Sequence, residues 1–248
     1  MGVMKLRGIV LNETKKGEAD KQLALFTLEE GKTHVYAKGA RKIKSRYFSG
    51  SAQFDYSDFI VFLGNGFYSA TQIDKLADFS AVLSDYEKLL YGNLFLELVD
   101  KTTFPGEPNP YILKLLIIAL RALENSITDN FCICQAFLFK YLQICGYEPS
   151  TEICASCGLR VDKALRYGTD GLLCSSCAIN DMSSININES ATQAIKYILN
   201  SDIREAFSYK LDADSKKILT QASDVSLGNF NVSLNSKKFI DEIKGFNA

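Results

Sequence analysis

The sequence predicts a multidomain α+β fold: an N-terminal five-stranded β-barrel, then an α-helical domain interrupted by a four-cysteine module. Three observations carry this reading. Residues 1–75 break into short β-type runs, the periodicity turns helical after Ala77, and four cysteines stand as Cys154-x2-Cys157 and Cys174-x2-Cys177. The boundaries that follow are 1–78 for the barrel, 150–181 for the cysteine module, and 79–149 with 182–248 for the two parts of the helical domain.

The β-type runs come first. Leu6–Leu11 and Leu23–Thr27 are aliphatic and β-branched, and the second ends at Glu29-Glu30-Gly31. Thr33–Lys38 alternates, with His34, Tyr36 and Lys38 on one face and Val35 and Ala37 on the other. Phe59–Leu63 and Phe67–Ile73 flank Gly64-Asn65-Gly66, a hairpin signal. Five such strands match the size of an OB-type barrel, and an SH3-like barrel would read much the same.

The helical region opens at Ser84-x-x-Glu87, which has the form of a capping box. Asn109-Pro110 supplies an N-cap followed by proline at the first helical position. The helix after it is apolar nearly all round, so it belongs in a core. A third helix starts at Asn130 and stops at Gly146. Ala191–Leu199 is helical again, and short helices are expected over Ser215–Gln221 and Ser236–Ile243.

Two Cys-x-x-Cys pairs, sixteen residues apart, have the spacing of a structural Zn2+ site. Each pair turns two thiolates toward one ion, and the segment between is too short to make a core of its own. Four thiolates close the coordination shell, so one structural zinc per chain is expected and catalytic zinc is not. A redox site needs only one pair. Cys132, Cys134 and Cys145 lie in an apolar helical stretch and read as core thiols.

Composition bounds the function. The chain has 248 residues, 47% hydrophobic and 23% charged, which suits a globular protein rather than a disordered one. No apolar run reaches the roughly 20 residues of a membrane span. Nothing at the N-terminus resembles a secretory signal, so a cytoplasmic location is expected. No phosphate-binding loop or dinucleotide fingerprint is present, and His34 is the single histidine. No enzyme activity and no small-molecule substrate are therefore expected.

Charge is unevenly spread. Residues 1–46 hold eleven Lys and Arg against five acids, whereas the rest hold 17 against 24. The densest stretch is Lys38-Gly39-Ala40-Arg41-Lys42-Ile43-Lys44-Ser45-Arg46, with Tyr47 and Phe48 next. Cations engage phosphates and adjacent rings stack on bases, so this is a nucleic-acid platform. The competing reading makes Tyr36, Tyr47 and Phe48 barrel core and the cations a solubilising loop. The candidate DNA contacts are Arg7, Lys16, Lys32, His34, Tyr36, Lys38, Arg41, Lys42, Lys44, Arg46 and Tyr47.

At this point the chain resembles a known family, the bacterial recombination mediator RecO. The matching segments are Gly8-Ile9-Val10-Leu11, Gly17-Glu18-Ala19-Asp20, Leu25-Phe26-Thr27 with Gly31-Lys32, and Ala37-Lys38-Gly39-Ala40-Arg41-Lys42 with Ser45-Arg46. Further on come Leu142, Gly146-Tyr147-Glu148-Pro149, both cysteine pairs with Gly171-Leu172-Leu173 before the second, and, more weakly, Ser236-Lys237-Lys238-Phe239. Lys16 and Gln53 depart from the family pattern, which often has an aromatic and usually a proline there. The resemblance implies an OB-fold, a helical domain and an inserted zinc module. It implies binding to single- and double-stranded DNA, annealing of complementary strands, and work with RecR to load RecA onto DNA coated by single-stranded DNA-binding protein. It also implies docking of that coating protein's acidic tail in an apolar groove beside a cation, for which Arg121 and Lys140 are candidates. The alternative is a zinc-stabilised interaction adaptor without direct DNA function.

Overall fold

Strand β1 (Gly2–Lys16) pairs along its first half with β4 (Tyr56–Gly64) and from Gly8 onward with β2 (Asp20–Thr27). Strand β3 (Gly31–Ala37) pairs antiparallel with β2, and β5 (Phe67–Ala77) pairs antiparallel with β4. A short parallel pairing of β3 with β5, Val35 opposite Tyr68 and Tyr36 opposite Ser69, completes the barrel. The closed order β1-β2-β3-β5-β4 is that of an OB-fold, which settles the barrel type. These elements come from a computed structural model, which describes residues 2–42, 44–64, 66–161 and 166–245. Asn65, the tip of the expected hairpin turn, lies outside the described residues; the flanking pair Gly64 and Phe67 is in register.

Two compact units make up the chain, Met1–Lys114 and Leu115–Ala248. In the first, Leu6, Leu23, Leu25, Val35, Phe59 and Val61 fill the barrel and are fully buried. Alternation along the strands puts them inside, as the pleat requires. A bulge between Val10 and Asn12 shifts the register, and beyond it β1 runs on along β2 as an exposed polar segment, Asn12–Lys16. Helix α1 (Ser80–Ser84) leads into α2 (Tyr86–Thr102), which packs on β1 and β2. The N-cap of α2 is Asp85, whose carboxylate accepts from the Lys88 backbone N–H at 3.0 Å. This corrects the expected Ser84 cap: Ser84 ends α1 and its hydroxyl bonds the Ala81 carbonyl.

Helix α3 (Pro110–Asn125) begins as expected, with the Asn109 side chain accepting from the backbone N–H groups of Tyr111 and Ile112. The second unit is organised on α4 (Asn130–Ile144), buried at every position from Phe131 to Leu142. Against it pack α6 (Glu189–Asn200) and α7 (Ala213–Leu227), and α8 (Asn235–Lys244) follows. Both α7 and α8 run longer than their apolar cores indicate.

Three short antiparallel strands lie between α4 and α6: β6 (Arg166–Gly168), β7 (Gly171–Leu173) and β8 (Ile185–Asn186), with β6 central. The Tyr167 and Ser226 hydroxyls, 2.8 Å apart, tie β6 to α7. Gly171 has φ of +115° and lies so close to Ser150 that a Cβ would sit 2.3 Å from its backbone N and O. Only glycine fits there. That contact seats Ser150 beside β7 and positions the cysteines that follow each of them.

Candidate nucleic-acid interface and metal centre

The metal centre starts from two backbone loops. Cys154–Gly158 forms a tight turn, closed by the Gly158 N–H bonding the Cys154 carbonyl at 2.9 Å, with Gly158 at φ of +73°. The second pair spans α5 (Ser175–Ala178), whose N-cap is Cys174. The Cys174 N–H donates to the Cys154 sulfur at 3.4 Å and so ties the two loops together. All four sulfurs lie within 4.8 Å of one another, and those of Cys157 and Cys174 are 3.8 Å apart. Four sulfurs each about 2.3 Å from one tetrahedral ion would stand roughly 3.8 Å apart. The donor set therefore fits Zn2+. Burial opposes ionisation of the Cys154 thiol, but backbone N–H groups of Cys174, Cys157 and Ser156 outweigh it and hold the thiol at about 6. Packing further thiolates against this one is unfavourable without a cation among them, which a metal supplies.

Cys132 and Cys134 are core thiols, pushed up by burial, Cys132 to about 11. Cys145 is half-buried and shifted the same way, to about 11.

The basic stretch follows β3 as a chain of turns, each closed by an i to i+3 backbone bond: Lys42 to Gly39, Ser45 to Lys42 and Phe48 to Ser45. Asp20 fixes its start. One carboxylate oxygen accepts from the Gly39 N–H at 2.7 Å and the other from the Tyr36 hydroxyl. The Tyr36 bond, then the Gly39 bond, hold the Asp20 carboxyl below its usual range, and Tyr36 is raised in turn. Arg41 is stitched to the β1–β2 turn, its guanidinium donating to the Gly17 carbonyl at 3.1 Å and the Glu18 carbonyl at 2.9 Å. Lys38, Lys42, Lys44 and Arg46 remain exposed.

These turns frame a groove on the barrel wall with a cavity volume of about 580 Å³. Its lining includes Tyr36, Lys38, Lys42, Arg46, Phe67 and Ser69. His34 is exposed on the same outward face of β3 as Tyr36, and Lys16 is exposed at the end of β1.

Two expected DNA contacts, Arg7 and Lys32, are placed elsewhere, and a third, Tyr47, borders the groove but is enclosed. Arg7 forms a two-pronged pair with Asp58 at 2.7 and 2.8 Å. Lys32 is held by the Asp100 carboxylate at 2.8 Å and also bonds the Asp100 carbonyl. Tyr47 is 5% exposed inside the barrel, its hydroxyl bonding the Ala70 carbonyl at 3.0 Å, and a ring so enclosed has no face for a base. The exposed rings here are Phe48 at 68% and Phe67 at 53%. Phe67 was legible only as a strand residue, because nothing local in its sequence says that it shares a groove with the basic turns. The roles of Asp20 were equally hidden, since its partners lie 16 and 19 positions away.

The expected tail-binding cations are also engaged. Lys140 is buried and donates to the Leu199 and Ser201 carbonyls, and Arg121 pairs with Glu124 on its own helix.

Comparison with known proteins decides the family. The model described as "Recombination protein O N terminal" matches residues 1–79, and "Recombination protein O C terminal" matches residues 83–227. The chain belongs to the RecO family. It is 33% identical over 235 residues to the DNA repair protein RecO of Alkaliphilus metalliredigens, covering 92% of this chain and 96% of that one. Against the DNA repair protein RecO of Acetivibrio thermocellus it is 30% identical over 228 residues, 91% and 90% of the two chains. The same-named protein of Listeria monocytogenes is 28% identical over 241 residues, 96% and 94%. RecO is thus a family of DNA repair proteins, and the groove lies within the segment matched by its N-terminal model. Among the described residues no helix is long and apolar enough to cross a membrane.

Proposed function

We propose that this chain is a non-enzymatic mediator of DNA repair and homologous recombination that binds single- and double-stranded DNA on its barrel and anneals complementary strands. The observation that carries this is the groove bordered by Lys38, Lys42 and Arg46, set in a module whose first 46 residues hold a surplus of basic side chains. Cations there, joined by Lys16, Arg41 and Lys44, neutralise phosphates on two strands, with His34 and Tyr36 as further contacts on the same face. Lower mutual repulsion lets base pairing proceed. Membership of the RecO family supports the further steps: partnership with RecR, docking of the tail of single-stranded DNA-binding protein, and loading of RecA onto coated DNA. The setting is the bacterial cytoplasm, at the nucleoid. The cysteine module, 150–181, holds one structural Zn2+ and orients the loops around it.

The test is binding to a fluorescent single strand across a salt series. The variant carries Lys38→Glu, Lys42→Glu, Lys44→Glu and Arg46→Glu, sparing Arg41 because it holds the β1–β2 turn. A steep wild-type salt slope that falls by about 3 in the variant is the expected result, since each phosphate contact on a single strand contributes about 0.7. A folded variant that binds as wild type would exclude the barrel as the platform. Weak wild-type binding with little salt dependence would favour the adaptor reading.

A further inference from the structure

The groove has an aromatic wall as well as a charged rim. Tyr36 and Ser69 are directly paired, and Phe67, two residues before Ser69, shares their face of the sheet. Phe67 directs half of its surface to solvent beside Lys38, Lys42 and Arg46. The Asp20 bond fixes the opposite side by holding the Tyr36 hydroxyl. An apolar ring kept in water at the foot of a cationic loop suits a ligand with a flat face and flanking negative charge. A cavity of about 580 Å³ is within the range that takes a small organic group.

We propose that this groove seats an unstacked base of a single strand, with Phe67 as the stacking surface and Lys38, Lys42 and Arg46 on the neighbouring phosphates. The inference rests on the barrel being the DNA platform and adds what the groove selects. A single strand offers its bases freely. A duplex must first unstack and unpair one, at a cost of about a few kcal/mol. Phe67 therefore acts on single strands, whereas the cations act on both. A strand captured this way has that base held out of its stack before pairing.

The test uses the full-length protein, an oligo-dT strand of about 15 nucleotides, which spans a typical barrel footprint, and a duplex of the same length. Phe67→Ala is expected to weaken single-strand binding about tenfold, the usual size of a stacking contact. Duplex affinity should stay within about twofold and the salt slope should not change. Phe67→Trp should restore the single-strand affinity. An abasic strand of equal length tests the unaltered protein: wild type should bind it about tenfold more weakly than oligo-dT, and Phe67→Ala should bind the two alike. Equal losses on strand and duplex, or none on either, would overturn the base seat while leaving the platform standing. A shallow wild-type salt slope would instead overturn the platform, and the seat with it.

Discussion

Asp58 shows how one carboxylate removes cations from a candidate interface. Its hydrogen bonds to Arg7, and then to Lys5, hold it down at about 2 despite the opposing effect of burial. A folded-state value below the ordinary 3.8 means that the contribution to stability is complete above pH 4. It is lost as pH falls from about 4 toward about 2. In urea titrations over that window, Asp58→Asn should show a shallower loss of stability than wild type; an identical pH profile would mean the pair contributes nothing. Lys140 makes the complementary case. Its ammonium meets the Leu199 carbonyl at 2.9 Å, the Ser201 carbonyl at 2.7 Å and the Gln143 side chain at 2.9 Å, capping the C-terminal end of α6. Burial lowers its pKa, yet three acceptors justify the charge. Lys140→Met keeps the stem and strands the acceptors, so it should cost about 1–3 kcal/mol in urea denaturation. A neutral result would free Lys140 for the tail-binding role.

At the scale of elements, α2 owes its close seat on the barrel to Gly92. A Cβ there would lie 2.9 Å from the Phe54 ring and 3.0 Å from Val82. Phe54 cannot readily retreat, because it is buried with a left-handed φ of +73°. Gly92→Val should therefore destabilise the fold by about 1–3 kcal/mol through overpacking, measured as a shift in the urea midpoint. Gly92 also marks a limit of sequence reading. The presence of five strands, the starts of α3 and α4 and the cysteine quartet were legible, because each follows from periodicity, a cap or a spacing within a few residues. The full length of β1 was not: Asn12–Lys16 is polar on both faces, and only pairing with β2 makes it a strand. The α2 cap was misplaced by one residue, since Ser84 and Asp85 are both good caps and tertiary packing ends α1 first. The groove was half legible. Its cations are contiguous in sequence, but Phe67 and Asp20 reach it only through the β3–β5 and β2–β3 pairings. Tyr47 misled because an aromatic after a basic run reads the same whether it faces out or in.

For the whole molecule, a net charge of −1 cannot by itself draw the chain to DNA. On the proposed reading, attraction comes from the concentrated positive charge of the first 46 residues, which makes it local and steeply dependent on salt. The cysteine cluster belongs to the other compact unit. Its four sulfurs converge on one point, and the strands around it, two and three residues long, cannot supply a core of their own. Metal should therefore contribute to stability, and the barrel should bind DNA without it. Purified protein is expected to carry about one zinc per chain, the complement of one four-thiolate site. Stripping it with a strong chelator should lower the thermal transition, and stoichiometric zinc should restore it. Across the same treatment the single-strand salt slope should stay as it was, because the cations proposed to bind phosphate belong to the barrel. If affinity and slope fall with the metal while the barrel remains folded by circular dichroism, the cysteine module touches DNA and the division of labour between the units is wrong. If the transition does not move, the cluster holds no structural ion, and its thiols need another account.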